Sequence, residues 1–261
     1  MTNLPYVPTE YSVKPGLKKL GEDKHFIVDD LYPSYMAEKK IFDSTDQYYI
    51  NNASDEVTDA SFKWIKDTLQ KEYEWEPLGY NFDFLCLEIQ EDVCVMQNDN
   101  LVIAHVCFPS WWNPEEKMGM SMGEIHADVP GMDKTRYEQI WNACLHKGPY
   151  LRYNWTLTNS PQLNQHPKHN IGKTFDGEDL FLRVERQVLV GLPEIDAVIF
   201  LIRTFVNNID ELNYCERAEV GKAVQGMNRQ ELEYKGLFNV REKVIKGLTK
   251  DKESAILCMN V

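Results

Sequence analysis

Apolar residues recur at helical spacing from Ser54 onward, with Val57, Ala60, Trp64, Ile65, Thr68 and Leu69 on one stripe. Ser54 is a suitable N-cap, and Asp55 and Glu56 stand where a first turn favours negative charge. This helix is expected to end before Trp75-Glu76-Pro77. Residues 82–89, 93–97 and 101–108 then read as short runs of β-formers, separated by polar turns at 90–92 and 98–100. They predict an antiparallel meander. Residues 109–131 have no period, yet they hold Trp111, Trp112, Met118, Met120 and Met122, so the segment is expected to pack on something. Asp133 should cap a second helix carrying Tyr137, Ile140, Trp141, Cys144 and Leu145, with Gly148-Pro149 as the stop. Residues 179–192 alternate, and 197–206 form a denser apolar run, which together predict a hairpin. Asn228 with Glu231 opens a helical tail whose buried stripe is Leu237, Val240, Val244 and Leu248. The pattern predicts an α+β fold: five antiparallel strands in hairpins with helices between and at the ends. It divides into a surface arm at 1–25, one domain at 26–250 and a tail at 251–261.

Composition narrows the function classes. With 261 residues, 43% of them apolar, the chain can bury a sizeable core. A formal net charge of −13 argues against nucleic acid and anionic membrane as partners. No apolar run is long enough to cross a bilayer, and the first residues lack a secretory pattern, so a cytoplasmic location is expected. The six cysteines are widely spaced, which favours reduced, buried thiols over a disulfide framework. No C-x-x-C, G-x-G-x-x-G or Walker-type phrase occurs, so redox chemistry would need electrons from elsewhere.

Several residues could carry chemistry. His166 and His169 lie in a proline-containing loop, where solvation is the plainer reading than a metal site. His105 shares a strand face with Leu101 and Ile103, as a hydrogen-bonded core histidine would. His126 differs: it falls in the irregular, apolar stretch, where a neutral, partly dry imidazole could be structural or could ligate a metal. Arg183, Glu185, Arg186 and Arg203 interrupt apolar strands, and must pair, face solvent or line a polar pocket.

A set of phrases then occurs in one order: Gln90-Glu91-Asp92, HVCFPSWWNPEEKMG ending at Gly119, IHADVPG at 125–131, Asn154-Trp155, LFLRVERQ at 180–187, FLIRTFV at 200–206 and Tyr234-Lys235-Gly236-Leu237. Together they resemble the haem-dependent oxidative N-demethylases, typified by the α subunit of dimethylamine monooxygenase, over about residues 20–250. The resemblance implies a PAS-like, five-stranded haem fold and a haem b held by one axial histidine. It implies oxidation of dimethylamine or a related small amine with O2. Electrons would come from NADPH through FMN and a 2Fe–2S cluster on partner subunits. His126 matches the histidine of the I-H-A phrase and is the expected iron ligand, with His105 and His166 as alternatives. Arg203 and Thr204 are expected near the oxygen or a haem propionate, Arg183 and Trp155 around the cofactor, and Glu185 on the substrate ammonium. Asp128 stands where the family commonly has proline, and Trp112 where it has a basic or small residue, which leaves the substrate open. A non-catalytic haem sensor, a haem-free small-molecule-binding domain and a homo-oligomer are all compatible with the same residues.

Overall fold

The computed structural model describes residues 4–12, 16–41, 48–131, 133–171, 175 and 179–250. The expected tail at 251–261, including Cys258, lies outside them. Among the described residues the fold is α+β, built on a seven-stranded antiparallel sheet rather than five strands. The strands are β1 (Lys18–Lys19), β2 (Tyr49–Asn51), β3 (Asp92–Gln97), β4 (Asn100–His105), β5 (Tyr150–Thr158), β6 (Phe181–Leu192) and β7 (Ala197–Asn208), in the order β1-β5-β6-β7-β3-β4-β2.

Most elements follow the pattern that predicted them. Helix α2 (Asp55–Tyr73) starts on the Ser54 hydroxyl, which accepts from the Val57 amide, and buries Val57, Ile65 and Leu69. The β3–β4 hairpin turns through Asn98 and Asp99, both with positive φ, as a type I′ turn requires. The β6–β7 hairpin pairs without interruption from Phe181↔Asn208 to Leu192↔Ala197. Helix α6 (Lys134–Lys147) begins on the Asp133 carboxylate, which accepts from the Arg136 amide.

Three differences have physical causes. Residues 82–89 are not a strand. Asn81 caps the Phe84 amide, and Phe82, Leu85 and Cys86 bury one side of the helix α3 (Phe82–Leu87) while Phe84 stays exposed. Gln90, Glu91 and Asp92 are consequently no hairpin turn. All three are buried, with Glu91 accepting from the Ile27 amide and Asp92 from the Cys107 and Phe108 amides. Strand β5 was not anticipated, although Leu151, Tyr153, Trp155 and Leu157 alternate with Arg152, Asn154 and Thr156. The tail is split among α7 (Tyr214–Gly226), α8 (Arg229–Tyr234) and α9 (Arg241–Leu248).

The sheet divides the core. On one face α2 and α3 pack on Val93, Val95, Ile103, Ile199 and Leu201. Beside them α7, α8 and α9 cover Trp155, Leu157, Leu182, Val184 and Phe205. The arm joins this layer, since Tyr6 stacks on Tyr153 with centroids 5.0 Å apart and Tyr11 meets Trp155 edge-on at 6.1 Å. On the opposite face α6 and the Trp/Met segment cover Cys94, Met96, Leu101, Ala104, Leu189 and Val198. Cys86, Cys94, Cys107 and Cys144 are buried thiols as expected. Cys215 corrects that expectation: it is disulfide-bonded. Among the described residues no helix is long and apolar enough to cross a membrane.

Candidate functional site

Strand register arranges the α6-covered face in rows. Tyr150, Leu189, Phe200, Cys94 and Ala104 form an apolar row across five strands. The next row reads Arg152, Gln187, Ile202 and Asp92, and the one beyond reads Asn154, Glu185 and Thr204. This face therefore grades from greasy to polar within two residues' travel along β6. A sheet face that changes character this sharply suits a ligand with an apolar body and a charged edge.

The polar rows are partly wired. Glu185 accepts from the Ser110 hydroxyl (2.5 Å), the Gln187 amide (2.8 Å) and the Asn154 amide (3.3 Å). Ser110 in turn accepts from Arg183 Nε at 2.7 Å, and the other Arg183 nitrogens donate to the Phe108 and Leu163 carbonyls. Arg183 is thus fully spent on pinning two loops to β6. The same rows also contain buried atoms with no partner among the described residues: Arg152 Nε, Gln187 Oε1 and Thr204 Oγ1. These lie on three adjacent strands facing one side. Orphaned polar atoms are costly, and a ligand on this face could complete the hydrogen bonding of all three.

His126 lies at the end of the short helix α5 (Met122–Ile125), which Ser121 and Glu124 fix with a reciprocal capping box. Its ring Nδ1 is 2.8 Å from the Met122 carbonyl. A carbonyl only accepts, so Nδ1 carries the proton and Nε2 of the neutral ring keeps its lone pair. Nε2 has no partner among the described residues. Tyr137 holds the ring from α6, with centroids 5.8 Å apart, and its hydroxyl donates to the His126 carbonyl at 3.0 Å. Burial lowers the His126 pKa, the Met122 carbonyl opposes this, and the nearby Arg152 and Lys117 charges reinforce it. The residue is a neutral, oriented base. Met122 is buried in the apolar cluster under α6, and Trp112, Met118 and Ile125 pack partly against it, as the Trp/Met segment was expected to do.

The remaining expected residues scatter. Thr204 lies on the α6-covered face directly across from Glu185. Arg203, one residue away, therefore points to the other face. There it is fully buried, stacked on Tyr35 at 3.7 Å, and paired with the Asp29 carboxylate at 3.1 Å. Trp155 shares that opposite face. His105 is a core residue whose Nε2 bonds Asp83 at 3.1 Å. His166 Nδ1 accepts from the Lys168 amide, and His169 Nε2 lies 3.1 Å from the Asn164 amide, both in an exposed turn. Among the described residues no three metal-ligating side chains cluster. Arg152 escaped sequence reasoning, and the unrecognised alternation of β5 was the signal that could have found it.

An antiparallel sheet with a covered, half-polar face and an oriented histidine in that cover is an arrangement that suits a cofactor-binding α+β protein. The donor set fits haem: one imidazole with an available lone pair, an apolar wall and unpaired polar groups beyond it. The chain belongs to the family described as haem-dependent oxidative N-demethylase, alpha subunit-like, whose sequence model matches residues 27–245. The matched span runs from the segment leading into α1 (Tyr32–Lys39) to within α9 and contains every residue of that face named above.

Proposed function

We propose that this chain is the haem b-carrying oxygenase subunit of a multi-subunit, cytoplasmic demethylase, acting with O2 on dimethylamine or a related small amine. The observation that carries this reading is His126, with Nδ1 committed to the Met122 carbonyl and Nε2 unpartnered. The central strands β5-β6-β7-β3-β4, without the short edges β1 and β2, support a PAS-like core. Electrons are assigned to partner subunits bearing FMN, a 2Fe–2S cluster and NADPH, as the resemblance implies and as the alpha-subunit-like description of the family supports.

Haem, when bound, supplies the oxygen activation. The chain's own residues do the rest. His126 is the residue that would hold the iron, and its Nδ1–H bond to Met122 strengthens Nε2 as a donor. Glu185 takes its hydrogen bonds from neutral groups, with the Arg152 and Arg183 charges near it but not bonded to it, and is the carboxylate offered to a substrate ammonium. It keeps the amine proton between the amine nitrogen and its own carboxylate. Thr204 Oγ1, directly across the strands, offers a second polar contact to the same group. Arg183, Arg203 and Trp155 act in this reading through the scaffold, by fixing loops and the opposite face. The α6 cover keeps bulk water from the apolar row.

The test is reconstitution with haem followed by absorption spectroscopy. His126→Ala should weaken haem binding by about tenfold or more. Its far-UV dichroism should stay unchanged, and added imidazole should restore the ligated spectrum. A mutant with wild-type affinity and an unaltered Soret band would overturn the assignment.

A further inference from the structure

We propose that Arg152 is the carboxylate-receiving residue of the half-polar sheet face. Arg152 makes no hydrogen bond or ion pair among the described residues, although its Nε is buried. A buried Nε–H without an acceptor is unfavourable, and a bound carboxylate would supply that acceptor while meeting the terminal nitrogens. The carboxylates of the neighbouring rows bond to other groups and not to Arg152. Glu185, the only carboxylate sharing its polar rows on β5 to β7, accepts from Ser110, Asn154 and Gln187. Asp92, farther along its row, accepts from the Cys107 and Phe108 amides and lies 3.8 Å from Lys39. Across the strand from Arg152 stands Gln187, whose Oε1 is also unpaired. Burial pulls the Arg152 pKa down and the Glu185 carboxylate opposes this, although no hydrogen bond joins the two.

A planar guanidinium fork matches a carboxylate in two parallel hydrogen bonds. Two sources present that group here. One is a porphyrin propionate, placed where the apolar row gives way to the polar one. The other is the carboxylate of an N-methylated amino acid, whose ammonium would rest on Glu185, on the neighbouring strand and the same face. The proposal rests on the reading above for what binds this face, but not for the chemistry of Arg152.

Wild type, Arg152→Gln and Arg152→Lys are titrated with haem and with haem dimethyl ester, which keeps the iron and ring but has no free carboxylate. N,N-dimethylglycine and dimethylamine are titrated into the same proteins by calorimetry. A propionate source is read as haem binding about tenfold or more tighter than the ester in wild type. Arg152→Gln should erase that preference and Arg152→Lys should partly restore it. A substrate source is read as equal affinity for haem and ester, with dimethylglycine bound by wild type and lost in Arg152→Gln. Because the glutamine variant removes an unpaired charge, it should unfold at the same temperature or higher, whereas a structural arginine would lower it. Unchanged preferences for both probes in Arg152→Gln overturn the proposal. If neither porphyrin binds any of the three proteins, the haem reading fails, and the dimethylglycine titration alone decides the role of Arg152.

Discussion

At the scale of single residues, the polar groups in the sheet divide by what they can still bind. Arg183 and Arg203 have their charges matched by carbonyls, a hydroxyl or a carboxylate. Glu185 is bonded only by neutral donors, and exchanging its charge for an amide tests that difference. In amine-dependent turnover with a reductase, Glu185→Gln should raise KM for the amine about 10–100-fold, the value of one charged hydrogen bond. An unchanged KM would remove Glu185 from the substrate. His105 makes a prediction about pH. Burial pushes its pKa down to about 4, with the Asp83 hydrogen bond opposing. The unfolded chain takes up that proton near pH 6.5, so stability is full above this value and falls as pH drops toward 4. The loss should approach about 3 kcal/mol at the lower limit. His105→Gln should flatten the corresponding part of the pH profile of urea unfolding, and parallel wild-type and mutant profiles would refute this. Both histidine environments were partly legible beforehand. The period-two pattern placed His105 inward, while the role of His126 depended on a carbonyl four residues back, which spacing alone does not aim at the ring.

At the scale of elements, the cover over the half-polar face depends on how closely α6 rides on the sheet. A Cβ built on Gly191 of β6 would stand 2.1 Å from the Leu145 carbonyl oxygen and 2.7 Å from that of Cys144. Only glycine permits this approach. Gly191→Ala should cost about 3 kcal/mol by overpacking. That corresponds to a Tm lower by roughly 6–12 °C in a domain of this size. A thermal melt without a shift would mean that α6 packs farther away. Helix α3 shows where reading by element failed. Its six residues are too short for period to separate helix from strand, and the Asn81 cap and one-sided burial decided between them. Strand β5 failed differently, because Arg, Asn and Thr on its α6-covered face dilute a strand signal that its apolar face carries clearly.

At the scale of the whole molecule, the family match ends short of the first 26 residues, yet these are built into the fold. Leu20 and Phe26 are buried, Lys18–Lys19 forms the edge strand β1, and the two aromatic contacts of Tyr6 and Tyr11 cover β5. Removing residues 1–12 should lower unfolding stability by about 3 kcal/mol, counting two aromatic pairs and their lost burial. The midpoint in urea should fall with little change in slope. An unmoved midpoint would reduce the arm to the surface wrapping its composition suggested.

The sequence alone determined the α+β class, the main helices with their caps, both central hairpins and the family, because these follow from local period, capping chemistry and phrases that stand contiguous in the chain. Only the tertiary structure decided which polar residues share a face. Register across β5, β6 and β7 put Arg152, Glu185 and Thr204 together and sent Arg203 and Trp155 to the other side. A one-residue step along a strand reverses a side chain, and which strands lie next to one another is a long-range choice that no local pattern encodes.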